Sequence, residues 1–401
     1  MDAKQTRRLN WKYYAIQFSS FGSSFAIFLY VTVILQAKGF SNTAIGITVA
    51  LGSCLSIILP PLAAAFYSRT RMPLKTVVAA VRIATLISSV LLIFVEAPVA
   101  LVSLIFIVIS GTTNAAVSLT NALAMQFEDT HARINFGASR AAGSVGCVIM
   151  SVLTGMVAGS SDAIIAVSTA LLAVTIILTL LFDRPETAGA AGAAVIPAPS
   201  SGSLKMLRYP ACLTFFFVMM LSFANMGALD TYQVSVLRSV GGTDADYGFM
   251  LVLMVVLETP LMLLFKPLSK RFSYTQLMVA GFAMMMMKDI ALIFADSVST
   301  MFWIQGFNVA MIGIFSPAQV YFGNSLARTG ETVSAQALFT GTAISVGRIL
   351  GNLVGGVVID SLGLHAMLIV TASYSALAIV FALVSNRLLQ HSLKLQLMSA
   401  A

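Results

Sequence analysis

The sequence predicts an all-α integral membrane protein in which twelve transmembrane helices form two pseudo-symmetric bundles of six. Three observations predict this fold class: the composition, the number of apolar segments long enough to span a bilayer, and an internal repeat. Of the 401 residues, 58% are hydrophobic and only 9% are charged, whereas about 25% of the residues in soluble proteins are charged. The composition therefore excludes an ordinary soluble domain.

Twelve apolar segments are long enough to cross a membrane, since a spanning helix needs roughly 20 apolar residues. None shows the alternation of apolar and polar residues that is typical of a membrane barrel. We number the segments in chain order as spans 1 to 12. They are residues 10–36, 42–66, 73–95, 98–123, 135–159, 162–182, 208–236, 244–266, 273–295, 298–323, 332–359 and 363–387.

The longest polar interruption, residues 183–207, separates the first six spans from the last six. Because this segment is rich in Ala, Gly, Pro and Ser, we interpret it as a flexible linker. The sequence therefore predicts an N-terminal bundle at 1–182, a cytoplasmic linker at 183–207 and a C-terminal bundle at 208–401.

The distribution of cations predicts the orientation. With the N-terminus inside, 17 of the 23 Lys and Arg residues lie on the cytoplasmic side, and the outer loops hold only Lys38 and Arg238. The positive-inside rule favours this arrangement, and we expect a bacterial-type inner membrane with both termini cytoplasmic. The net charge of +8 follows from this topology, so we expect no nucleic-acid partner.

An internal repeat relates the two halves. At an offset of 202 residues, LQAKGFSNTAIG (35–46) aligns with LRSVGGTDADYG (237–248), and at an offset of 201 SVG (144–146) aligns with SVG (345–347). The first pair precedes the second span of each half, and the second pair lies in the fifth span. Parallel six-helix halves joined by a cytoplasmic linker describe the major facilitator architecture, whose solute and ion sites lie near the midplane.

Ionisable residues inside spans cost about 2.5–3.5 kcal/mol each on insertion scales, so they usually face a cavity or a partner. Asp230 and Arg348 both lie near mid-depth, which favours an ion pair between spans 7 and 11. We assign structural or ion-pairing roles to Arg82, Lys288 and Arg348. The full set is Arg82, Arg140, Asp230, Glu258, Lys288, Asp289 and Arg348.

Glu258, within FMLVLMVVLETPLMLLF (249–265), is the first candidate for a proton carrier. No opposite charge lies within one helical turn of it, and removal from water favours the neutral form of a carboxylate. Asp230 and Asp289 are the further proton-coupling candidates. The alternative is a structural Glu258 that is neutral or ion-paired.

Arg140 is the first candidate for solute binding, because its planar donor fork suits a carboxylate or a hydroxyl-rich solute. The alternative is an ion pair with Glu128 or Asp129 that closes the cytoplasmic side. Span amides and aromatic rings of span 1 are further candidates, although such residues also join and pack helices. They are Asn114, Asn121, Gln305, Asn308, Gln319, Tyr14, Phe18, Phe21 and Tyr30.

At INFGASRAAGSVG (134–146) the sequence resembles the lactose permease branch of the major facilitator superfamily, which includes oligosaccharide, nucleoside and phenylpropionate proton symporters. The fifth span of that family opens with F-G-x-x-R-x-x-G-x-x-G, matched here by Phe136, Gly137, Arg140, Gly143 and Gly146. The resemblance implies a solute-binding role for Arg140. It also implies that Glu258 is the span 8 carboxylate that couples proton and sugar.

The resemblance also assigns Asp230 to the family's acidic segment in span 7, and it places Lys288 and Arg348 near basic residues of spans 9 and 11. The chain departs from the family in span 10, where Gln305 and Asn308 replace a histidine and a glutamate. Span 4 likewise lacks an acid. These departures argue against lactose itself as the solute.

We therefore predict a proton-coupled symporter that moves a small polar organic solute, a sugar, nucleoside or aromatic acid, by alternating access. We expect no enzymatic activity, no cofactor and no metal, and we expect a monomer whose partners are the solute, protons and membrane lipid. A drug–proton antiporter is the alternative within transport, since the cavity would be rich in Met and Phe. A membrane receptor or scaffold is the alternative outside transport.

Overall fold

The computed structural model describes residues 3–70, 72–94, 98–127, 134–157, 159–183, 205–327 and 335–400. Within these ranges the chain forms helices joined by short turns, and it contains no strand. Ten helices are long and apolar enough to cross a membrane, and a bent pair at the N-terminus makes an eleventh candidate. Span 8 adds a helix of 25 residues, Asp244–Leu268. The predicted all-α membrane fold is confirmed.

Spans 2 to 6 begin and end close to the predicted positions, whereas span 1 differs. Span 1 starts earlier and consists of two helices, Ala3–Leu29 and Val31–Ala37, which meet at 52°. The side chains of Asn135 and Ser160 cap spans 5 and 6 by accepting backbone N–H groups of the first turn, as short polar residues do at helix starts. The other helices are Asn42–Thr70, Leu74–Phe94, Val99–Met125, Phe136–Met156 and Ser161–Leu180.

Spans 7 to 12 include two that are irregular. Span 10 is divided into Val298–Ile304, Gly306–Ala310, a π-helical turn at Met311–Phe315 and Ser316–Ser325, and span 11 begins with a π-helical segment, Ala337–Ala343. π-helical turns are rare and are often found at functional sites. The remaining helices are Pro210–Ser239, Asp244–Leu268, Tyr274–Ile293, Ile344–Leu362 and Leu364–Ala400. The last extends beyond the predicted end at residue 387.

The chain forms two compact units. The first unit comprises residues 1–196 with 243–252, and the second comprises 197–242 with 253–401. Residues 243–252 of the first unit include the start of span 8, where Gly248 packs against the backbone of Ser151 and Gly155 in span 5. The boundaries predicted from the sequence remain predictions, and residues 184–204 of the linker lie outside the described residues.

The fifth span of each half crosses the first span of that half at a glycine. A Cβ atom on Gly146 would overlap the carbonyl oxygen of Phe18, and one on Gly347 would overlap that of Met220. Small residues allow membrane helices to approach this closely. The two glycines lie 201 positions apart and their partners 202 apart, so the repeat in the sequence coincides with a repeated helix contact.

Each unit has an aromatic cluster in its own core. In the first unit, the ring of Phe182 lies 5.9 Å from that of Tyr13 and 5.7 Å from that of Phe127. In the second, Phe215 lies 4.9 Å from Phe322 and 4.8 Å from Phe339. Large apolar side chains also remain on the outside, among them Phe94, Leu62 and Trp303, and an apolar surface of this kind is typical of a membrane protein.

Candidate functional site

Arg140 lies in the second turn of span 5, and its guanidinium stacks on a ring of span 1. Its Cζ atom is 4.4 Å from the centroid of the Phe21 ring, a distance that gives a favourable cation–π interaction. Phe21 in turn packs against Gly143, where a Cβ would meet the ring. Arg140 is exposed and Phe21 is half-buried, so the ring orients a guanidinium that remains accessible.

No carboxylate among the described residues forms an ion pair with Arg140. Its alternative partners from the sequence, Glu128 and Asp129, lie outside the described residues. The ion pair that would close the cytoplasmic side therefore stays a prediction. What the structure does provide is an accessible cation beside an aromatic ring.

Amides of spans 1 and 4 form a small network on the same face of span 1 as Phe21. The Gln17 side chain donates to the hydroxyl of Tyr13 at 2.8 Å and to Oδ1 of Asn121 at 3.3 Å. Gln17 and Phe21 are four residues apart, so they are neighbours on one helix face. Sequence reasoning did not single out Gln17, although it is an amide within an apolar span, the same signal that identified Asn121.

The other predicted solute-binding residues of the first unit have different surroundings. Asn114 is exposed and donates to its own helix backbone at Ser110, while Tyr14 and Phe18 are half-buried. Tyr30 is buried, and its hydroxyl donates to the carbonyl oxygen of Asp244 at 3.3 Å. Tyr30 therefore has a packing role in this structure.

In the second unit, a buried polar cluster joins spans 7, 9, 10 and 12. Asp289 is completely buried, and one of its carboxylate oxygens accepts a hydrogen bond from the amide of Asn225. That amide also donates to the Thr371 carbonyl at 2.9 Å, while Lys288 donates to Asn308 at 2.9 Å. Asn225 is a further residue that sequence reasoning missed.

Two atoms of this cluster have no hydrogen-bond partner among the described residues: Oδ1 of Asp289 and Oδ1 of Asn225. Both atoms are hydrogen-bond acceptors, and a carboxyl group becomes a donor only when it is protonated. The Oε1 atoms of Gln305 and Gln319 are likewise buried and unpartnered among the described residues. Both amides and Asn308 are almost fully enclosed.

Asp230 and Arg348 form the ion pair expected from the sequence. Arg348 Nη2 lies 3.0 Å from Asp230 Oδ2, and both side chains are half-buried. The backbone of Arg348 also packs closely on Gly227, one turn before Asp230 in span 7. The pair joins span 7 to span 11, which favours a structural role for Asp230.

The remaining predicted residues are Glu258 and Arg82. Glu258 lies on the helix Asp244–Leu268, and its side chain falls outside the described residues. Arg82 is buried, and its Nη2 atom donates to Ser20 Oγ at 2.8 Å and to Thr120 Oγ1 at 2.7 Å. These bonds link span 3 to spans 1 and 4.

A family model described as the MFS_1 like family matches residues 10–370. No curated protein matches the chain. The nucleoside transporter NupG has a similar structure, with a TM-score of 0.81 at 15% identity over 95% of this chain and 99% of that chain.

Two other transporters have related structures. A bacterial homologue of the human lysosomal transporter Spinster gives a TM-score of 0.76 at 13% identity over 98% of this chain and 99% of that chain. The POT family transporter PepTSo gives 0.73 at 12% identity over 97% of this chain and 99% of that chain. Identities this low establish a common fold alone.

Proposed function

Because the chain belongs to the MFS_1 like family and is a membrane transporter of the major facilitator type, we propose that it is a proton-coupled symporter. Its solute is a small polar organic molecule: a sugar, a nucleoside or an aromatic acid. The protein works by alternating access in an inner membrane, with both termini in the cytoplasm.

The observation that carries the proposal is the stacking of Arg140 on Phe21. A guanidinium presents a planar fork of donors to a carboxylate or to paired hydroxyl groups, and the Phe21 ring lies 4.4 Å from the Cζ atom of this one. Asn121 and Gln17 add hydrogen-bonding groups from the neighbouring helices. This combination suits a polar solute better than the apolar compounds that a drug transporter carries.

Proton coupling draws support from the carboxylates of the second unit. Asp230 is paired with Arg348, which leaves Glu258 and Asp289 as the titratable candidates in spans 8 and 9. The enclosed Asp289 with its unpartnered oxygen has the surroundings of a group that is neutral in one state and charged in another. We retain Glu258 as the first carrier and Asp289 as the second.

The test is solute transport in proteoliposomes that contain a pH dye, without a preset gradient. Addition of sugars, nucleosides or aromatic acids should acidify the lumen when the right solute is supplied. Acidification that follows one of these solutes supports symport. Outward proton movement driven by apolar drugs would instead establish an antiporter, and saturable binding of a solute without any transport would establish a receptor.

NupG, one of the structures with this fold, is described as a nucleoside transporter, so nucleosides are the first solutes to test. A competition series can separate the three solute classes. Arg140 should favour solutes with a carboxylate or vicinal hydroxyls, so an aromatic acid should lose affinity when its carboxylate is replaced by a methyl ester. If the ester and the acid compete equally, the acid class is excluded.

A further inference from the structure

Arg82 is a buried cation in the first unit whose partners are all neutral. It lies near the middle of the helix Leu74–Phe94 and is 2% exposed. The two hydrogen bonds from Nη2 go to the hydroxyl groups of Ser20 and Thr120. Hydroxyl groups accept the bonds of a guanidinium, but they do not neutralise its charge.

Among the residues of the first unit that the structure describes, no carboxylate pairs with Arg82. Spans 1 to 5 contain no Asp or Glu, and span 6 contains only Asp162, at its first residue. Asp162 pairs with Lys38 at 3.1 Å, and none of the described carboxylates forms an ion pair with Arg82. A charge buried without a counter-charge is strongly unfavourable in a protein interior.

A small cavity adjoins the guanidinium. Its volume is about 10 Å³, and Arg82, Ser24, Thr113 and Ser168 are among the residues that line it. The Nε atom of Arg82 and the Oγ1 atom of Thr113 have no hydrogen-bond partner among the described residues. Two residues that line the same small volume therefore each carry an unmatched donor, and one of them is a cation.

These features define the chemistry of the occupant. The volume suits one particle about the size of a water molecule, which excludes carboxylic acids, phosphate and the transported solute. A water molecule would accept both hydrogen bonds but would leave the charge of Arg82 unbalanced. A small monovalent anion satisfies the donors and the charge together.

We propose that this cavity binds a small inorganic anion of the halide class, with chloride as the ligand to test first. Arg82 supplies the charge and the Nε donor, and Thr113 supplies a hydroxyl donor from span 4. The anion thereby links spans 3 and 4 beside span 1. It is separate from the solute contacts of Arg140, and it does not depend on the direction of transport.

The first measurement is thermal unfolding of the purified full-length protein in detergent. The midpoint temperature is compared in sodium chloride, sodium bromide and sodium gluconate at equal ionic strength, since gluconate is too large for the cavity. A ligand that binds the folded state alone stabilises it in a saturable manner. We expect the midpoint to rise and saturate with chloride and bromide, and to stay flat with gluconate.

Two variants assign the effect to the site. Arg82→Gln should abolish the difference between chloride and gluconate, because it removes the charge while keeping polar atoms at the position. Thr113→Val should raise the chloride concentration at half-saturation about tenfold or more, since a hydrogen bond to a charged group is lost. The matched controls are Arg69→Gln, an exposed cation of the same unit, and Thr169→Val, a buried threonine that does not line the cavity.

Equal midpoints in chloride and gluconate for the unaltered protein would overturn the proposal, because water alone would then fill the cavity. A chloride effect that survives in both Arg82→Gln and Thr113→Val would also overturn it, since the ion would bind elsewhere. If Arg82→Gln does not fold, two other results test the site. One is the chloride dependence of the unfolding midpoint of Thr113→Val, and the other is the position of bromide located by anomalous scattering in crystals of the unaltered protein. Bromide beside Arg82 supports the site, and its absence there overturns it.

Discussion

Arg82 and Arg140 show how far two arginines of one unit can differ. Both are single cations inside apolar spans, and the sequence distinguishes them only through the motif around Arg140. In the structure, Arg140 is exposed and stacked on Phe21, whereas Arg82 is enclosed by hydroxyl groups. An accessible guanidinium can bind and release a solute, while an enclosed one holds its neighbours in place.

Arg140→Lys should weaken solute binding about tenfold or more, because lysine keeps the charge but loses the planar fork and the stacking on the ring. The measurement is the solute concentration at half-maximal exchange in proteoliposomes. Arg69→Lys, in the same unit and exposed, is the matched control and should leave that concentration unchanged. Equal values for Arg140→Lys and the unaltered protein would remove Arg140 from the solute site.

Asn225→Leu should destabilise the protein by about 1.5–3 kcal/mol, the usual loss when a hydrogen bond to a charged group is removed. The reason is that the Asn225 amide donates to Asp289 and to Thr371. Free energies of unfolding in denaturant measure the effect, with Ser373→Ala on the exposed face of span 12 as the control.

The double variant Asn225→Leu with Asp289→Asn tests whether the carboxylate is the cause. If the lost bond to Asp289 dominates, removal of the charge should recover part of the stability, so the two changes should not add. Additive losses would show that Asn225 acts through the span 12 backbone alone.

At the scale of elements, Gly146 lies at the close crossing of spans 1 and 5, and Gly347 lies at the close crossing of spans 7 and 11. Gly146→Ala and Gly347→Ala should each destabilise by about 1–3 kcal/mol, the usual result of overpacking a close contact. Gly159→Ala and Gly341→Ala are the matched controls, since nothing lies within 4 Å of a Cβ added at either position. Stability of Gly146→Ala equal to that of Gly159→Ala would contradict the close packing.

The irregular elements mark the limit of sequence reasoning at this scale. Apolar length predicted spans 1 and 10 as single segments, but span 1 bends by 52° and span 10 contains a π-helical turn. Apolar content records only that a segment can lie in lipid. A bend or a π-helical turn depends on which backbone groups find partners in neighbouring helices, and a hydropathy pattern carries no such information.

At the scale of the whole molecule, the two units repeat a helix contact with different polar groups. In the first unit, Ser168 of span 6 donates to the Ser23 carbonyl at 2.7 Å, and in the second, Asn225 of span 7 donates to the Thr371 carbonyl at 2.9 Å. Ser23 and Asn225 are 202 positions apart, and Ser168 and Thr371 are 203 apart. Among the described residues, the second unit has a carboxylate at this contact, Asp289, which accepts a hydrogen bond from Asn225.

Glu258→Gln should abolish solute accumulation driven by a proton gradient and spare solute exchange, because exchange needs no net proton transfer. Asp289→Asn should reduce accumulation to a smaller extent if Asp289 is the second carrier. Asp296→Asn, a change at an exposed loop carboxylate, is the control and should leave both activities unchanged. Normal accumulation by Glu258→Gln would exclude Glu258 as the proton carrier.

The sequence by itself determined the membrane fold, the positions of the spans and the repeat, because apolar length and glycine spacing are properties of each segment alone. It also predicted that Asp230 and Arg348 would pair, since both were placed at the same depth. Only the tertiary structure decided that Arg82 lies beside a cavity, that Asn225 holds Asp289 and that Arg140 stacks on Phe21. Those contacts depend on which helices become neighbours, and that is settled by the packing of whole helices.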